Sequence, residues 1–303
     1  AVLLMPWVSR IGRWAANTLA VAATGLLLYF TLRLIPAVGT GLEFEWYGAA
    51  FSLDSVSLLF LVVVNAVGFA CMLYATAYVS HLGGPAKFYA LLLIMMGGLN
   101  AMLLTHDLFS LYVFLEVASI ASYVLVAFGL EHDGIESAIK YLLLSAVATS
   151  MILVGIALVY MSTGSLDFGV LRAALSVQGE GLPAIFLLAG ALFIGGFGLK
   201  AAVMPFHAWL PDAHPSAPAP ISAMLSGVVI KVAGIYALAR IFLHIYPGIG
   251  RIQGVFLILG TLSMVAGALL AYFQRDFKRM LAYSSISQIG YILIGLGLGN
   301  LLG

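Results

Sequence analysis

Nine stretches of this chain, at about residues 15–36, 56–79, 88–105, 108–130, 138–161, 183–204, 221–247, 253–273 and 280–301, are apolar and almost without charge. Lipid offers no partner to backbone N–H and C=O groups, so a run of roughly 20 such residues can cross a bilayer only as a helix. Barrel strands would show alternating segments of about 10 residues instead. The runs therefore predict an all-α polytopic membrane protein. The connecting loops are short, which makes residues 1–303 a single transmembrane domain. The composition points the same way, being 63% hydrophobic and 8% charged with a mean hydropathy of +1.12. A soluble domain carries about a quarter charged residues.

A net charge of +1 provides no basic stripe to neutralise phosphates, so a nucleic-acid partner is excluded. The one cysteine, Cys71, supports neither a disulfide framework nor a thiolate metal cluster. It reads as a small side chain within an apolar run. The opening residues AVLLMPWV read as the tail of a membrane helix rather than a signal peptide, because Arg10 and Arg13 follow the run instead of preceding it. The end at Gly303 reads as a second interruption.

Basic residues set the orientation. Alternating loops place Arg10, Arg13, Lys87, Lys140, Arg275, Lys278 and Arg279 on one side, the expected cytoplasmic side. The other side receives Arg33, Arg172, Arg240 and Arg251 together with Glu43, Glu45, Asp54, Asp167 and Glu180. Asp107, in a tight loop, is positioned to cap the next helix, where a carboxylate meets orphan N–H groups and the positive dipole end.

Charges inside the membrane are costly and mark function by default. Glu116 lies mid-run in LYVFLEVASIASYVLV, with Tyr112, Ser119 and Tyr123 at helical spacing on its face. Alone it would be neutral; a nearby cation would hold it ionised. Lys200 follows GGFG at the end of an apolar run and is its candidate partner, with snorkelling to the interface as the alternative. Five of the ten prolines, Pro205, Pro211, Pro215, Pro218 and Pro220, then crowd residues 205–220, a density that no regular helix survives. Broken backbone at membrane depth needs protein or a wet cavity around it. His207 and His214 are candidates to line such a cavity. With Asp212 they could also be read as metal ligands, although their spacing fits no zinc signature. Lys231 lies in the next run between Gly227 and Gly234, a narrow helix face open to a neighbour or to water. Lys140, nearer the interface, suits an anchor or a relay equally. The serines and glutamine at 284–288 are dense enough to line water.

Aligning Asp107 with Asp276 sets DLFSLYVFLEVASIASYVLV over DFKRMLAYSSISQIGYILIG, a faint internal repeat whose two copies start on opposite sides. Inverted repeats with broken helices near the midplane occur in many transporters. Together with AIKYLLLSA and GLKAAVMPFHAWLPDAHPSAPAPISAMLSGVVIKVAGIYAL, these phrases resemble the antiporter-like proton-channel subunits. That family is shared by respiratory complex I, energy-converting membrane-bound hydrogenases and Mrp-type cation/proton antiporters. The HPSAPAPISAMLSG phrase leans toward the hydrogenase branch. The resemblance implies inverted five-helix repeats with a discontinuous helix. It gives 1–86 as peripheral helices, 87–247 as the first repeat and 252–303 as the start of a second repeat that stops short.

The same resemblance implies that Glu116 and Lys200 form a pair and that Lys231 is a central relay. The expected function is proton translocation in a redox-driven complex of the cytoplasmic membrane, with neighbouring antiporter-like subunits and a redox arm as partners. An Mrp-type Na+/H+ antiporter subunit and a non-conducting structural subunit are the alternatives. No cofactor is expected, since one cysteine and the lack of a phosphate loop leave no place for redox chemistry in this chain.

Overall fold

The computed structural model describes residues 1–38, 43–46, 49–79, 83–176, 182–246 and 250–299. Glu180 lies outside the described residues, as do the side chains of Glu43, Glu45 and Arg251. Helices dominate. In chain order they are α1 (Met5–Ile11), α2 (Arg13–Arg33), α3 (Ser55–Tyr78), α4 (Pro85–Leu104), α5 (Leu108–Val126), α6 (His132–Thr163), α7 (Phe168–Ser176), α8 (Ala184–Lys200), α9 (Leu210–Ser216), α10 (Ala219–Ile245), α11 (Gly250–Tyr272) and α12 (Phe277–Leu298). Among the described residues, eight are long and apolar enough to cross a membrane, and α8 is a shorter apolar helix.

Four of these helices begin in the same way. An aspartate accepts a hydrogen bond from the backbone N–H three residues on: Asp54 from Ser57 at 2.7 Å, Asp107 from Ser110 at 2.7 Å, Asp167 from Val170 at 3.0 Å and Asp276 from Arg279 at 2.7 Å. Each satisfies an orphan donor and places negative charge at the positive dipole end. Asp107 and Asp276, which the repeat alignment superimposes, thus start their helices with the same bond.

The all-helical expectation misses one feature. Two strands, β1 (Glu43–Trp46) and β2 (Ala49–Ser52), pair antiparallel with Glu43 opposite Ser52. The alternation Glu-Phe-Glu-Trp has the period of two that strands require. The nine-residue α7 was also unmarked by hydropathy, since its buried residues Phe168, Leu171 and Leu175 form one narrow stripe.

The chain forms two compact units, each assembled from separate stretches. The first holds Ala1–His106, Val113–Ile139 and Ser216–Val229. Here Asn65 donates to Thr31 Oγ1 at 2.8 Å and to Asn100 Oδ1 at 3.2 Å, and Asn100 returns a bond to Asn65 at 2.9 Å. These bonds join α2, α3 and α4, and in lipid such polar contacts replace the missing hydrophobic drive between helices. The second unit holds Asp107–Tyr112, Lys140–Pro215 and Ile230–Gly303. In it Ser287 donates to the Met264 carbonyl at 2.9 Å and Ser285 to Leu281 at 2.9 Å. These two hydroxyls of the polar cluster at 284–288 are thus spent on helix backbone.

The predicted break is present, and its details differ from the expectation. α8 stops at Lys200 after 17 residues. That gives about 25 Å of helix at 1.5 Å per residue, short of the roughly 30 Å hydrocarbon core. Ala202 then turns left-handed, with φ at 55°. The proline-rich stretch retains short helices because Pro211 and Pro220 occupy second helical positions, where no N–H is needed, and Pro215 comes one residue before α9 ends. α10 is continuous but loosened, with π-helical turns at Leu225–Val229, Lys231–Tyr236 and Arg240–Ile245.

Candidate ion-translocation site

The site is built outward from the end of α8. Lys200 is 3% exposed, so its side chain is buried and does not snorkel. A cation in the last helical turn faces the negative end of the dipole, a favourable placement. The chain beyond it folds back on itself. Ala201 N–H donates to Phe197 O at 2.8 Å, and Val203 N–H to Gly198 O at 2.8 Å. The Leu199 carbonyl accepts both the Ala202 N–H at 3.0 Å and the Trp209 indole N–H at 2.9 Å, so a side chain adds a second bond where the helix is interrupted. Met204 N–H is met by Ser263 Oγ at 2.9 Å.

The helix carrying Lys231 touches this break directly. A Cβ at Gly234 would lie 2.6 Å from the Ala201 nitrogen, closer than side chains tolerate. Glycine at 234, three residues after Lys231, therefore permits a contact with the residue that follows Lys200. Lys231 is half-buried and opens a π-helical turn. Such wide turns are frequent at functional positions.

His214 is buried, at 1% exposure. His207 is half-buried; its Nδ1 donates to Pro205 O at 3.3 Å and its ring lies 6.1 Å from that of Tyr283. Asp212 is engaged by two cations, Lys140 Nζ at 3.3 Å and an Arg279 guanidinium nitrogen at 2.7 Å. Lys140 is thus an ion-pair partner across 72 residues of sequence.

Glu116 belongs to the first unit and Lys200 to the second. Glu116 is half-buried on α5, and Ser119 and Tyr123 on its face are 3% and 7% exposed. Sequence reasoning assigned no role to Trp209, and to Arg279 and Arg240 none beyond setting the orientation. Arg240 is buried, with its guanidinium 5.7 Å from the Tyr236 ring centre and 3.3 Å from His244 Nε2. The spacing of four between Tyr236, Arg240 and His244 was the available signal.

Residues 105–303 match the family described as NADH:quinone oxidoreductase/Mrp antiporter, transmembrane. The chain belongs to that family. Residues 46–89 also match the N-terminal region of NADH-ubiquinone oxidoreductase (complex I) chain 5. The chain is 37% identical to NADH-quinone oxidoreductase subunit N of Desulforudis audaxviator over 261 residues, covering 84% of this chain and 51% of that protein. It is 34% identical to a subunit of the Na(+)/H(+) antiporter of Alkalihalophilus pseudofirmus, covering 83% of this chain and 51% of that one. Its fold matches a chain in the structure of the Mrp complex from Dietzia sp. with a TM-score of 0.87 and 30% identity, covering 98% of this chain and 56% of that chain. The chain therefore spans about half the length of the relatives it matches. It is an antiporter-like, multi-pass membrane subunit of the complex I and Mrp type.

Proposed function

We propose that this chain carries protons through a half-channel in a multi-subunit, redox-driven complex of the cytoplasmic membrane. The observation that carries the reading is a buried lysine at a helix break, with Gly234 of the Lys231 helix packed against the next residue, Ala201. A buried ammonium is expensive to desolvate and readily gives up its proton, which suits a relay better than a structural tie. Protons reach Lys200 from the cytoplasmic side through water lined by His207 and His214. Glu116 pairs with Lys200 in one state and separates from it in the next. Two unit charges 4 Å apart interact by roughly 4 kcal/mol at an effective dielectric of 20. That amounts to about three decades in proton binding, enough to decide whether Lys200 holds its proton or passes it to Lys231.

The test is Glu116→Gln in the full-length chain within its parent complex, measuring proton pumping alongside electron transfer. Pumping at the parental ratio would remove Glu116 from the mechanism. Likeness to one chain of a Na(+)/H(+) antiporter supports a second reading, in which the parent assembly exchanges sodium for protons. A sodium-dependent proton flux from vesicles carrying the parent complex, without an electron donor, would decide for it.

A further inference from the structure

We propose that Asp212 is the positioning residue of the broken segment, through an ionic clamp that fastens α9 to two other helices. Asp212 sits in the first turn of α9. One carboxylate oxygen receives Lys140 of α6 at 3.3 Å, and the other receives Arg279 of α12 at 2.7 Å. Two further contacts fasten the same short helix. Lys278 donates to the Pro215 carbonyl at 3.1 Å, a group that lies near the end of α9. Tyr141, next to Lys140, stacks on Trp209, which directly precedes α9.

Seven residues are too few to hold a helix by their own hydrogen bonds. The position of α9 is therefore set by what grips it. Asp212 is the one carboxylate of α9, so removing its charge breaks the ion pairs to α6 and α12 together. The clamp reaches the relay through Trp209, which holds the Leu199 carbonyl beside Lys200. It is also a clamp that can open: the side chains of Lys140, Asp212 and Arg279 are 48%, 29% and 46% exposed. Pairs this wet are weak and are screened by salt. With each of its oxygens engaged by a cation, Asp212 fixes geometry and does not relay.

The experiment uses the full-length chain in its parent complex, with Cys71→Ala and Ala213→Cys introduced. Ala213 is buried beside Asp212, and its labelling by a membrane-impermeant thiol reagent reports how often α9 leaves its place. Asp212→Asn, which loses both pairs, is expected to speed labelling several-fold, Arg279→Gln by less, and Asp212→Glu to restore the parental rate. An unchanged rate in Asp212→Asn overturns the clamp. If that variant fails to assemble, Lys140→Gln gives the same reading, and an unchanged rate there overturns it equally. Proton flux is measured in the same vesicles. Faster labelling with undiminished flux removes the positioning role. The proposed transport fails on flux alone, so the two failures are told apart.

Discussion

The Tyr141 ring lies parallel to the Trp209 indole, with centroids 4.0 Å apart and 2° between the planes. The indole N–H meanwhile points to the Leu199 carbonyl at 2.9 Å. One fully buried side chain thus fills the space against α6 and satisfies the backbone where α8 ends. The two duties can be separated. Trp209→Phe keeps an aromatic face and removes the indole donor, while the Leu199 carbonyl keeps the Ala202 N–H at 3.0 Å, so the loss is that of one net hydrogen bond, about 0.5–1.5 kcal/mol. Trp209→Ala removes both and is expected to cost about 3–5 kcal/mol. Thermal unfolding in detergent would rank them, and parental stability in Trp209→Phe would show that the hydrogen bond contributes nothing.

Two glycines flank Lys231, and the structure gives them different burdens. A methyl at Gly234 would press on the Ala201 backbone, whereas one at Gly227 would meet only Val67 Cγ1 at 3.6 Å. Gly234→Ala is expected to destabilise by about 1–3 kcal/mol through overpacking and to impair proton flux. Gly227→Ala should leave both near the parental value. Flux assays paired with unfolding curves check the contrast.

Reciprocal amide bonds between Asn65 and Asn100 tie α3 to α4. Leucine at 65 alone strands the Asn100 amide, leucine at 100 alone leaves Asn65 only its bond to Thr31, and leucine at both removes the mutual bonds together. A double-mutant cycle is expected to give a coupling of about 0.6 kcal/mol, with roughly 1.7 kcal/mol as the upper end for membrane helices. Unfolding of the purified complex would measure it, and additive single losses would contradict the pairing.

Loss of the cap at Asp107 or at Asp276 should cost about 1 kcal/mol each in Ala variants. Asn, which also accepts the N–H, should recover most of it. Hydrogen exchange at Ser110 and Arg279 is the local readout, and protection unchanged in the Ala variants would count against both caps.

Much of the fold was legible because membrane helices announce themselves locally. Each apolar run became a helix, and the proline cluster marked the discontinuity. The run at 183–204 overshot the helix, which ends at Lys200, because hydropathy does not register a left-handed Ala202. The site was legible as a set of residue types. Buried cations in apolar surroundings stand out, whereas their fastenings do not. Asp212 meets partners 72 and 67 residues away, on helices whose proximity no local pattern encodes. α7 escaped because nine residues with a narrow apolar stripe resemble a loop until the neighbours are known.

Arg279 is held at two points by two carboxylates: its backbone N–H by Asp276 at 2.7 Å and its guanidinium by Asp212 at 2.7 Å. The first contact depends on where helix α12 begins, the second on which way the side chain leaves it. Inserting one residue just after Asp276 would preserve every charge, yet turn the guanidinium by about 100° and shift it about 1.5 Å along the axis. Residue count between that turn and its arginine is therefore under as strict a constraint as residue identity. Length variation in this corner of the family should be sparse even where its composition drifts.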